Sequence, residues 1–319
     1  MDREERNMST TKVKTYSVAP YYDDYDETKN YHRILFRPGY AVQARELTQL
    51  QTALQAQIDR HGQYTFKDGS RVVNGKATLD VEYDFVKVES SFTHSTVGAL
   101  NADNYLDEFV GTTITGSANT TNQVTAKVLA VIDAEGSDPN TLYIKYTSQG
   151  GANKNVAKFA AGEEFVSDGS PVRYGMVGGG SNIDGSNTPS SITTPTGQGS
   201  AIHIEEGVYF ISGCFVYVPA ATLTLDKYTN TPSYIVGLQV TESVVDSGTD
   251  TSLLDNAQGV PNTAAPGATR YKISTALIKE SLDPANRVVN NYITLLKIKN
   301  GVVQVDSTDK LDDTELTQR

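Results

Sequence analysis

The sequence predicts a mainly β, multi-domain chain with one prominent α-helix near the N-terminus and a small inserted β-barrel or β-sandwich. Three observations predict it. The 319 residues include 18 Tyr and 26 Gly but no Trp, only 20% are charged, and Thr, Ser and Asn are frequent, a composition that favours strands joined by many turns. Residues 42–61 run through Gln, Ala, Leu and Arg without Gly or Pro, as a helix interior requires. Much of the rest consists of short apolar runs closed off by Gly or Asn-Gly at roughly ten-residue spacing. A chain of this length can bury more than one core.

Residues 1–40 read as an extended docking arm. The first 18 mix charge with Ser and Thr and show neither strand nor helix periodicity, which suits a segment that orders only against a neighbour. There follows PYYDDYDETKNYHRILFRPGYAVQ, in which Tyr21, Tyr22, Tyr25 and Tyr31 stand among acids. A short strand at Ile34, Leu35 and Phe36 is turned by Arg37, Pro38 and Gly39. Tyrosine brings apolar area with few rotamers to freeze, so Tyr21, Tyr22 and Tyr25, with Arg37, are the candidates for docking onto neighbouring proteins.

Residues 41–62 form the predicted helix, with Gly62 as its C-terminal stop. Leu47, Leu50, Leu54 and Ile58 recur at steps of three, four and four and make a narrow apolar stripe. It is flanked by Gln43, Gln49, Gln51, Gln55 and Gln57 rather than by charge. Such a stripe must be covered, either by the chain's own sheet or by identical helices about a symmetry axis. Under three heptads, the pattern leaves both open.

The main β-domain is expected from residues 63–100 and 201–310. An Asn74-Gly75 signal between alternating runs predicts a β-hairpin, and Asn300-Gly301 another within NYITLLKIKNGVVQV. In VYFISGCFVYV, consecutive strands place Tyr209, Phe210, Phe215 and Tyr217 on both faces of a buried sheet. Residues 101–176, with EFVGTTITGS, QVTAKVLAVIDAEG and NTLYIKYTSQG, read as the inserted barrel or sandwich. Residues 177–200 are nearly free of large apolar groups and read as a Gly/Ser/Thr-rich linker or exposed loop. The last residues, 311–319, look like the opening of a further segment, so Arg319 is not expected to be the natural end.

Little in the sequence points to chemistry. The net charge of -11 argues against a nucleic-acid partner. No apolar run approaches the roughly 20 residues needed to cross a bilayer as a helix. The single cysteine, Cys214, lies within an apolar run and reads as an inert thiol. The four histidines, His32, His61, His94 and His203, are scattered singly, without metal-ligand spacing. Gly178, Gly179 and Gly180 are not followed by the lysine and helix of a phosphate-binding loop. Asp23, Asp24, Asp26 and Glu27 have the residue types for calcium but not the loop that binds it. They read better as a solvated acidic loop or a pairing surface for arginine. No cofactor, metal or catalytic residue is expected.

The run FRPGYAVQARELTQLQT leading into FKDGS resembles a family of tailed-phage virion proteins, common in marine and cyanobacterial phages and long known only as a domain of unknown function. A second block, EEGVYFISGCFVYVPAATLTLDKYTNTPSYIVGLQVTES with SLLDNAQGVPNTAAPGATRY, looks like the later core of the same family. The two blocks cover about half of the chain. The resemblance implies a non-enzymatic structural component of a phage tail, made in the host bacterial cytoplasm and carried in the virion, whose members are usually longer than this chain. It leaves the position in the particle open. With the helix stripe added, the first expectation is a scaffold at the baseplate or tail-fibre attachment site that contacts other tail proteins, a homotrimer by analogy with fibres, with Leu47, Leu50, Leu54 and Ile58 at the interface. Two alternatives are an adhesin recognising a host-surface glycan and, more remotely, a polysaccharide depolymerase.

Overall fold

The computed structural model describes residues 12–117, 123–148, 158–181, 183–185, 188–256, 259–287 and 291–308. The expectation for residues 311–319 lies outside them. As expected, the chain is mainly β with several sheets and one long helix near the N-terminus.

The helix α1 spans Ala44–Thr65. It opens where the Gln43 N–H donates to the Glu46 carboxylate at 2.9 Å. It does not stop at Gly62 as expected: Gly62 is a buried helical residue, and the Phe66 N–H closes the last turn on the Gly62 carbonyl at 2.7 Å. A Cβ at position 62 would run into the Phe210 ring, so this glycine serves close packing rather than termination.

The strands follow in chain order as β1 (Arg71–Asn74), β2 (Ala77–Val88), β3 (Ser91–His94), β4 (Gly98–Asn101), β5 (Thr113–Gly116), β6 (Thr125–Ile132), β7 (Asn140–Ser148), β8 (Glu164–Ser167), β9 (Tyr174–Met176) and β10 (Thr196–Ile204). Then come β11 (Gly207–Ile211), β12 (Cys214–Val218), β13 (Ala221–Asp226), β14 (Tyr234–Val245), β15 (Leu254–Asp255), β16 (Asn262–Pro266), β17 (Arg270–Ser281), β18 (Tyr292–Lys299) and β19 (Val302–Asp306). The largest sheet has eight strands in the order β13-β10-β2-β7-β6-β5-β8-β9. A four-stranded sheet, β17-β14-β18-β19, a three-stranded one, β1-β11-β12, and the two-stranded β3-β4 and β15-β16 accompany it among the described residues.

Among the described residues three apolar clusters result, the smallest of them Tyr83, Phe85, Tyr143 and Ala201. Of the two larger cores, one gathers Val86, Phe92, Phe109, Ile114, Phe165 and Val177. The other gathers Ala77, Ile202, Tyr209, Ile211, Leu238 and Leu296. Burying each large side chain contributes about 1.5–3 kcal/mol before entropy is counted. Residues 101–176 share the first core with Val86, Val88, Phe92 and Val177, and their strands continue into the body's sheet. β2 enters the second core through Ala77, pairs with β10 along its length, and near its end pairs with β7 and enters the first core.

Turn chemistry was read correctly at both Asn-Gly sites, but pairing only at one. Asn300 and Gly301 have positive φ, and Lys299 faces Val302 in the β18–β19 hairpin. Asn74 and Gly75 have the same handedness, yet β1 pairs with β11 and β2 with β10. The reason is long-range: the Gly75 N–H donates to Glu206, the Tyr209 hydroxyl to Gly75, and a Cβ on Gly207 would run into the Gly75 backbone while one on Gly75 would meet the Tyr209 ring.

Three further expectations are corrected. Ile34, Leu35 and Phe36 form no strand. Tyr209 and Phe210 are buried, whereas Phe215 and Tyr217 are exposed. Residues 177–200 are not simply an exposed linker. Val177 is in the core, the Ser190 hydroxyl donates to buried Glu89, and β10 already starts at Thr196.

Candidate assembly surface on the N-terminal helix

The helix meets the body through its small and polar residues. Thr52, Ala56, Asp59 and Gly62 recur at steps of four, three and three and form its buried face, the signal that a search for apolar stripes passes over. Small side chains there allow close approach. Phe66, just past the helix, packs its ring 6.0 Å from Phe210 and 5.9 Å from Phe215. Asp59 is fully buried and accepts from the Lys12 N–H at 2.8 Å and from Gln63 at 2.8 Å.

Leu47, Leu50, Leu54 and Ile58 point the other way. They stand 36–59% exposed along one face of α1. Of the two coverings open at the level of sequence, the chain's own sheet is therefore not the one this structure provides.

Residues 12–27 dock onto their own chain. The buried Asp23 carboxylate accepts from the Thr52 hydroxyl at 2.5 Å. Asp24 pairs with Arg45 at 3.5 Å and accepts from Gln49. Glu27 takes the Arg60 guanidinium in a two-point contact, Nε at 2.8 Å and a terminal nitrogen at 2.6 Å. That pairing holds the Glu27 carboxyl below its ordinary range, through the hydrogen bond first, and raises Arg60. The acidic cluster is thus a pairing surface for arginine, with Asp23 buried rather than solvated. Among the described residues no group of three or more His, Cys, Asp or Glu is placed to hold a metal ion.

The tyrosines predicted to dock onto a partner divide. Tyr21 is half-buried, its ring 5.8 Å from Tyr16 and its hydroxyl 2.8 Å from that of Thr269. Tyr25 is also half-buried, and burial raises its hydroxyl pKa. Both are used within the chain. Tyr22 and Arg37 remain exposed, with the Arg37 guanidinium 4.7 Å over the Tyr40 ring. Residues 31–42 then return as a strap to the start of α1. Their apolar side chains Tyr31, Leu35, Phe36, Tyr40 and Val42 are exposed; the sequence pattern marked Leu35 and Phe36 as part of a strand and Tyr31 as one of the arm's tyrosines, but none of the five as a contact.

The two sequence blocks meet in space. The Asp68 carboxylate accepts from the Ser212 N–H at 2.9 Å, the Gly69 N–H donates to the Phe210 carbonyl at 2.7 Å, and the Phe210 N–H to Ser70 at 2.9 Å. The sequence matches the family described as "Domain of unknown function (DUF4815)" over residues 19–129 and 177–318. The chain belongs to this family. The DUF4815 match takes in the arm from residue 19, the strap, α1, β1 to β5 with most of β6, and the strands from β10 to β19, and breaks across residues 130–176, which hold the end of β6 and β7, β8 and β9. The surface just described therefore lies in the DUF4815 part of the chain. No curated protein and no solved structure matches it.

Cys214 lies near Asp59 and Glu242. Burial pushes its thiol up, and both carboxylates add to the effect. That is the reverse of what a nucleophilic cysteine needs. Among the described residues no helix is long and apolar enough to cross a membrane.

Proposed function

We propose that this chain is a non-enzymatic structural component of a bacteriophage tail, at the baseplate or the fibre attachment site, which works by assembling into a homotrimer and binding other tail proteins. The observation that carries the assembly reading is the orientation of α1. Its polar, small-residue face is packed on the body while four large aliphatic residues face outward. Monomeric proteins rarely expose contiguous apolar patches beyond a few hundred Å². The likeness of the FRPGYAVQARELTQLQT and FKDGS run to phage virion proteins supplies the particle.

Replacing Leu50 and Leu54 together by Asp tests the proposal. The mass of the purified full-length chain is measured by light scattering, and its incorporation into virions by imaging particles. The unmodified chain should run as an oligomer and be found in the tail, and the variant should fall to one chain and be lost from particles. An unchanged mass together with unchanged incorporation would refute it.

A further inference from the structure

The strap, residues 31–42, is an odd element for a folded chain to carry. It leaves the body after Glu27 is tied to Arg60 and rejoins it at Gln43, and between them only Ile34 is even half-buried. Leu35 and Tyr40 are 75% and 67% exposed, with Phe36, Tyr31 and Val42 also out. Between strap and helix there remains a cavity of about 250 Å³, lined in part by Tyr25, Tyr31, Ile34, Leu50 and Ala53. The chain's own side chains leave that space unfilled.

We infer that the strap is the second half of an interface between copies of this chain, the strap of one copy lying along the leucine stripe of the next. This rests on the self-association proposed above and goes further by naming what covers the stripe. Three observations select a second copy as the occupant.

The first is area. With roughly 150–200 Å² available on a side chain of this size, the nine exposed apolar side chains of strap and stripe, about half exposed on average, present on the order of 800 Å². Around a ring each contact takes the strap from one copy and the stripe from the next, on the order of 400 Å² from each side, which is about half of one partner's share of a standard stable interface and makes strap and stripe the apolar centre of a larger contact between copies.

The second is charge. Residues 31–43, YHRILFRPGYAVQ, contain Arg33 and Arg37 and no acid, so they carry +2 within a chain whose net charge is -11. The acidic excess is that of the whole chain and not of the α1 face, so the strap's +2 acts at long range: it draws toward another copy of net charge -11 and offsets part of the repulsion between copies, as it would not for a basic partner. The third is neutrality. The helix carries Arg45 and Arg60 against Glu46 and Asp59, and its outward face is Leu, Ile and Gln. Strongly acidic copies repel one another, and α1 offers a face on which they can approach without that cost.

The test is amide hydrogen exchange and light scattering on the full-length chain and on two double variants, Leu35→Asp with Phe36→Asp and Leu50→Asp with Leu54→Asp, with circular dichroism verifying that each stays folded. In the unmodified oligomer the strap amides should exchange at least about tenfold more slowly than in Leu50→Asp/Leu54→Asp. Both variants should fall to the 34.5 kDa of one chain. If only the helix variant dissociates, or if strap exchange is the same with and without the stripe, the strap inference is overturned while self-association through the helix stands. If the unmodified chain is a monomer at every concentration, both fall.

Discussion

Glu27 and Arg60 join the arm to the helix through two hydrogen bonds, at 2.8 and 2.6 Å, across 33 residues of sequence. Everything the strap presents outward is hung from this point and from Gln43.

Glu27→Gln should loosen the arm without unfolding the body. Both side chains are about a third or more exposed, so the cost should stay below about 1 kcal/mol. The folded Glu27 carboxyl titrates below its unfolded value, so its contribution is present at neutral pH and is lost as pH falls through the folded pKa. Limited proteolysis of residues 12–42 should accelerate in Glu27→Gln at pH 7, and the difference from the unmodified chain should vanish in acid.

Gly62→Ala should destabilise, against the usual expectation for a helix. Alanine in a helix interior is ordinarily worth about 0.5–1 kcal/mol over glycine. Here the added methyl meets the Phe210 ring, and overpacking costs about 1–3 kcal/mol. A urea unfolding midpoint below that of the unmodified chain is the expected result.

Asp138, between β6 and β7, ties that turn to the segment after β13. Its carboxylate accepts from Lys227 Nζ at 2.6 Å and from the Tyr228 hydroxyl at 2.5 Å. Burial opposes its ionisation, yet the hydrogen bonds from Lys227 and Tyr228 win and hold the carboxyl below its usual range. The Tyr228 hydroxyl is pushed up to about 12, by burial first and by the bond to Asp138 second. Asp138→Asn should cost about 1–2 kcal/mol at pH 7. Stability from a depressed carboxylate is present above its unfolded pKa and lost as pH falls through the folded one, so denaturation at pH 3 should show a smaller difference.

Cys214 should react slowly with a thiol reagent at pH 7 in the folded chain. Its thiol is raised by burial and by the neighbouring Asp59 and Glu242 carboxylates. The rate should climb toward that of an ordinary cysteine when the chain is unfolded in urea. Fast labelling of the native protein would contradict this environment.

By itself the sequence determined the mainly β class, the existence of α1, the turn conformations at Asn74-Gly75 and Asn300-Gly301, and the Leu47, Leu50, Leu54, Ile58 stripe. These are local properties: propensity, periodicity and the φ preferences of Asn and Gly act over a few residues. Only the tertiary structure decided which way α1 faces, that β1 turns to β11 rather than β2, and that Tyr21 and Tyr25 dock inward while Leu35, Phe36 and Tyr40 stay out. A periodic pattern marks a face without saying what lies opposite, and a helix can dock through Thr52, Ala56, Asp59 and Gly62 when small side chains let Phe210 approach and buried Asp59 finds donors at Lys12 and Gln63. Those partners are 47 to about 150 residues distant from or ahead of the helix in sequence, or one turn along it, and only folding brings them together.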